Sequence, residues 1–100
     1  MLKHIVMWKL KDFAEGAGKK ENARRMKSEL EGLRNTIREI KSIEVGLNVN
    51  DSADSYDAVL YSEFASKEDL NAYQNHPAHI KAAEFIGKAR LERKVVDYEV

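Results

Sequence analysis

Apolar residues at alternate positions open the chain. In "LKHIVMWKL", Leu2, His4, Val6, Trp8 and Leu10 fall on one side and Lys3, Ile5, Met7 and Lys9 on the other. That pattern predicts a strand with apolar groups on both faces at its centre. "KDFAEGAGKK" reads as a loop punctuated by Gly16 and Gly18. From Lys19 the period lengthens. Ala23, Met26, Leu30, Leu33, Ile37 and Ile40 step by three or four and so line one face of a helix. Glu21 with Arg25, and Lys27 with Glu31, support its outer face at a spacing of four. Gly32 lies inside this pattern, weakens it and marks a bending point.

Period two returns in "KSIEVGLNVN", with Ile43, Val45, Leu47 and Val49 on one side. After the polar turn "NDSADS", "YDAVLYSEF" predicts a third strand, apolar on both faces from Ala58 to Tyr61. "SKEDL" begins a helix with Ser66 as N-cap and Asp69 three positions later. Pro77 suits the first turn of a new helix and disfavours helical geometry in the residue before it. The chain is therefore expected to change direction at Asn75-His76, continue as a helix through "AHIKAAEFIGKAR" and close with "LERKVVDYEV" as a fourth strand. No repeat, linker or low-complexity segment divides residues 1–100, so one domain is expected.

The order β-α-β-β-α-α-β predicts an α+β, ferredoxin-like split βαβ protomer: a four-stranded antiparallel sheet with helices on one face. Ile5, Met7, Val59 or Leu60, and Val95 or Val96 supply apolar groups for both faces, and no segment remains to cover the second one. Pairing of two sheets across a two-fold axis, giving a homodimer, is the expected solution.

Composition narrows the functional classes. Lysine plus arginine number 17 against 17 acidic residues, so the formal net charge is zero and no basic excess points to nucleic acid. The balance also leaves little repulsion between copies. Without cysteine, neither disulfides nor thiol chemistry enter. No apolar stretch is long enough to span a bilayer, so no membrane partner and a cytoplasmic location are expected. Gly16 and Gly18 lack the neighbours of a phosphate-binding loop, and the Arg24-Arg25 pair is isolated on a charged helix face.

The candidate chemistry lies in "AYQNHPAHIKAAEFI". His79 and Tyr73 straddle the proline corner, and the apolar rows on either side, Leu70 with Tyr73 and His79 with Ala83 and Ile86, turn both inward. His4 on the first strand points to the same space as Val6 and Trp8. Such a set can hold a small molecule, with His79 as base and Tyr73 orienting it or stabilising a developing oxyanion. The alternative is a core tyrosine and histidine with satisfied polar ends, and His76 as a helix cap facing solvent. A metal held by His4, His76 and His79 is disfavoured because Pro77 disturbs the geometry between the last two, and no metal or cofactor is expected.

Three stretches, "KHIVMWKLKD", "SIEVGLNV" and "YQNHPAHIKAAEFI", together resemble the stress-responsive dimeric α/β-barrel (Dabb) family, over Leu2 to Tyr98. The resemblance implies a ferredoxin-like protomer whose sheet faces that of a second copy in a dimeric barrel. It implies no single activity, because the family holds plant stress proteins without an assigned reaction and a plant polyketide cyclase. From the cyclase pattern it implies a first-strand histidine at His4, a helix tyrosine at Tyr73 and a catalytic histidine at His79. The cyclase's further pocket histidine falls at Ala58, and Trp8 replaces a smaller apolar residue and should narrow any cavity. Two readings follow: a homodimeric stress-associated barrel protein that binds a small apolar or carbonyl-bearing molecule or acts structurally, and a cyclase- or lyase-like enzyme using the Tyr–His pair.

Overall fold

The alternation at the start becomes strand β1, Leu2–Leu10, in a computed structural model that describes residues 1–100. Its side chains alternate between buried and exposed or half-buried, as period two requires. What reads as a loop contains a small hairpin, β2 (Phe13–Ala14) with β3 (Ala17–Gly18), joined at Glu15 and Gly16 with φ of 52° and 76°. Positive φ at both positions is the two-residue turn that matches strand twist. Asn22, buried, donates from Nδ2 to the carbonyl of Ala14 at 2.9 Å and so pins the hairpin to the next helix.

Helix α1 spans Lys19–Gly32, shorter than the periodicity suggests. Gly32 ends it, and the chain tightens into a 3-10 turn at Leu33–Asn35. Leu33, Ile37 and Ile40 are nevertheless buried with Ala23, Met26 and Leu30, so the apolar row continues without the helix. Strand β4 covers Ser42–Leu47. Val49, expected to continue its inner face, lies beyond it and is 99% exposed. Strand β5 is Ala58–Phe64, helix α2 Lys67–Asn75, helix α3 Pro77–Ala89 and strand β6 Arg90–Glu99.

The sheet order is β4-β5-β1-β6, antiparallel throughout, with β5 inserted between β4 and β1. This is the expected α+β ferredoxin-like protomer. Register settles which residues share a face. Val6 sits opposite Leu60 and Val95, and Ile5 opposite Tyr61 and Val96. Val6, Trp8, Leu60, Val45 and Phe64 therefore meet the helices, while Ile5, Met7, Val59 and Val96 lie on the other face.

The two edges of the sheet differ. Along β4, Glu31 accepts the Val45 N–H at 3.0 Å and Lys27 donates to the Val45 carbonyl at 2.7 Å. The i,i+4 pair read from sequence as surface support thus occupies open backbone groups of an edge strand. Strand β6 has no such cover. Helix α1 lies along β4 and α2 over β1 and β5, so Leu91 to Glu99 are all exposed and only Arg90 is half-buried.

Candidate functional site

The proline corner fixes the geometry. His76 takes an extended conformation (φ −67°, ψ 136°), as a residue before proline prefers. Helix α2 ends on one side of it and α3 begins on the other. Its Nδ1 accepts the Ala78 N–H at 3.0 Å, so the side chain is an N-cap. That engagement leaves His76 half-buried, where the sequence suggested an outward ring.

Tyr73, in the last turn of α2, is fully buried. His79, in the first turn of α3, places its ring 4.5 Å from the Tyr73 ring. Phe64 packs on Tyr73 at 4.9 Å, and His4 of β1 approaches it edge-on at 6.3 Å. The structure thus brings His4, Tyr73 and His79 together and leaves His76 outside. Of the expected row of His79, Ala83 and Ile86, only Ile86 belongs to the buried core of α3, with Ala82, Phe85 and Ala89, and His79 is half-buried. Ala83 is exposed. The His79 row borders the core because the helix turns it towards a cavity instead.

That cavity has a volume of about 330 Å³. Val6, Trp8 and Leu60 form its sheet side, Ala83 and Ile86 its α3 side, and Arg90 and Arg93 the side nearest β6. Trp8 is 4% exposed, so its indole fills space in the core and the cavity persists beside it.

Protonation follows from the surroundings. The Nδ1 of His79 lies 3.1 Å from the Gln74 carbonyl, which only accepts, so Nδ1 carries the proton and Nε2 keeps its lone pair. Burial lowers the His79 pKa; the Gln74 carbonyl opposes this, and the charges of His4 and Arg93 add to it. Burial pushes the Tyr73 hydroxyl far above its ordinary value, slightly countered by Arg93. Near neutral pH the tyrosine is a donor and the histidine beside it an acceptor. The Tyr73 hydroxyl is also buried without a hydrogen-bond partner. His4 is oriented from behind, its Nδ1–H donating to Asp97 Oδ1 at 2.5 Å.

Asp97, Arg90 and Arg93 are the members of this cluster that the sequence reading lacks. Alternation along β6 puts Arg93, Val95 and Asp97 on one face, but only the pairing of Trp8 with Arg93 and His4 with Asp97 carries Arg93 to the cavity and Asp97 to His4. No three histidine, aspartate or glutamate side chains gather where they could hold a metal.

Comparison with known proteins places this geometry. A dimeric protein of unknown function and ferredoxin-like fold from Bacteroides fragilis superposes with a TM-score of 0.85 at 34% identity, covering 99% of this chain and 95% of that one. A dimeric ferredoxin-like protein of unknown function from Jannaschia sp. gives a TM-score of 0.76 at 28% identity, over 99% and 98% of the two chains. Stress-response A/B barrel domain-containing protein DABB1 of Arabidopsis thaliana is 29% identical over an alignment of 107 positions that covers 98% of this chain. The match spans 46% of the length of that relative. The model of the Stress responsive A/B Barrel Domain matches residues 2–100. The chain belongs to the stress responsive A/B barrel domain family.

Proposed function

We propose that this domain is a homodimer whose cavity binds a small, mostly apolar, carbonyl-bearing molecule, with Tyr73 as hydrogen-bond donor and His79 as base in a proton transfer. The observation that carries the reading is the Tyr73 hydroxyl, buried without a partner on a residue that lines the cavity beside His79. A tyrosine kept only for packing would have its hydroxyl satisfied. A ligand carbonyl supplies the missing acceptor.

Removal of a proton α to that carbonyl puts negative charge on its oxygen, where the Tyr73 O–H stabilises it. The proton goes to the Nε2 lone pair of His79 and returns from there. The Asp97 carboxylate holds the His4 ring in place beside Tyr73. For the homodimer, the support is the dimeric state of the Bacteroides and Jannaschia proteins and the uncovered apolar face on Ile5, Met7, Val59 and Val96.

Deuterium uptake α to the carbonyl of β-tetralone in heavy-water buffer, followed by proton NMR, tests the site. The expected result is exchange faster than buffer, lost in His79→Ala and Tyr73→Phe and kept in His76→Ala. A wild-type rate equal to buffer removes the proton transfer. Unmoved Tyr73 ring resonances at saturating β-tetralone remove the binding as well.

A further inference from the structure

The formal charge of the chain is zero, yet its cavity is not neutral. Arg90 and Arg93 line it, and no aspartate or glutamate does. Some basic side chains have acidic partners within 4.0 Å, such as Lys3 with Glu63 and Lys27 with Glu31, and others on the surface, such as Arg24 and Arg34, have none. Neither Arg90 nor Arg93 forms an ion pair, and neither guanidinium makes a hydrogen bond. The acid on their face of β6 that reaches the site, Asp97, is taken by His4.

We propose that the ligand of this cavity is an organic acid, its ionised carboxylate seated against Arg93 with Arg90 beside it and its apolar body against Val6, Trp8 and Ile86. This rests on the cavity being a ligand site and adds the chemical class of what enters it. An arginine presents a planar fork of donors that matches a carboxylate, and such charge-assisted bonds are about twice as strong as neutral ones. Arg93 lines the same cavity as Tyr73 and His79, which puts the carboxylate end and the reacting end in one space. Tyr73, whose buried hydroxyl has no partner, lines the same cavity and offers a further donor to a ligand oxygen.

Calorimetric titration with para-butylbenzoate and its neutral isostere para-butylbenzamide near neutral pH tests the assignment, with β-tetralone as the neutral reference. The expected result is a preference for the acid of about tenfold or more, on the scale of a charge-assisted pair. Arg93→Gln should erase that preference and leave the affinity for the amide as it was, which also shows that the variant is folded. Arg38→Gln, on an exposed arginine away from the cavity, should change neither affinity. Equal binding of acid and amide overturns the carboxylate and leaves the cavity as a neutral site. Binding of β-tetralone with no binding of the acid does the same. A preference that survives Arg93→Gln overturns the role of that arginine. If none of the three compounds binds, the cavity is not a ligand site and both proposals fall.

Discussion

Tyr73 holds a hydroxyl that its own fold leaves unpaired. A buried donor without a partner costs about 1–3 kcal/mol. Tyr73→Phe keeps the ring packed on Phe64 and removes that cost, so it should stabilise the protein by about 1 kcal/mol while losing the exchange activity. Thermal unfolding reads this as a rise of about 4–8 °C. A fall in Tm would show that the hydroxyl is used by the fold. His79 supplies a second prediction. Its folded pKa is lowered, chiefly by burial, below the ordinary imidazole value of about 6.5. Below that pH the unfolded chain binds a proton that the folded chain refuses, so stability is full above it and falls as the medium turns more acid. Denaturant midpoints measured from neutral to acid pH should fall less steeply in His79→Gln than in wild type. Parallel curves would remove the assignment. His4, Tyr73 and His79 were legible in the sequence because each sits in an apolar period. Arg93 and Asp97 were not, since most of β6 is exposed and its alternation carries no burial signal.

At the scale of elements, two caps hold the corner. Ser66 accepts the Asp69 N–H at 3.2 Å at the start of α2, and His76 accepts the Ala78 N–H at the start of α3. Ser66 was readable from its type and spacing. The histidine cap depends on a ring turning back along the chain, which proline permits by holding His76 extended. His76→Ala should cost about 1 kcal/mol of stability, as for other N-caps, with exchange activity retained. Urea unfolding checks the first part, and an unchanged midpoint would mean that water replaces the cap without penalty. The helix that seemed to reach Ile40 stops at Gly32 for a related reason. A spacing of three or four records which residues are buried, and an irregular segment can bury Leu33, Ile37 and Ile40 as well as a helix does.

At the scale of the molecule, the uncovered sheet face is the surface proposed to pair two copies. Met7 is 39% exposed and Val96 53%, with Ile5 between them in the paired strands. Around this strip Lys3 pairs with Glu63, and Lys9 with Glu92, at 3.6 and 4.0 Å. An apolar centre with a charged rim is the usual form of a protein interface. Multi-angle light scattering at micromolar concentration should return twice the 11.4 kDa chain mass for wild type. Met7→Lys should return the chain mass itself or aggregate, because it places an unpaired charge in the apolar strip. A wild-type monomer, or an undisturbed Met7→Lys dimer, removes this interface.

The sequence by itself determined the element order, the split βαβ arrangement, the break at Pro77 and the inward tyrosine and histidines. These follow from period, capping and the missing N–H of proline, all local properties of a chain in water. Only the tertiary structure decided that Glu31 and Lys27 close the β4 edge, that Val95 and Val96 divide between the faces, that Arg93 lines the cavity and that Asp97 holds His4. Each of these depends on the register of strands distant in sequence. Register is fixed by the packing of the whole core, and a shift of one residue would send every β6 side chain to the other face.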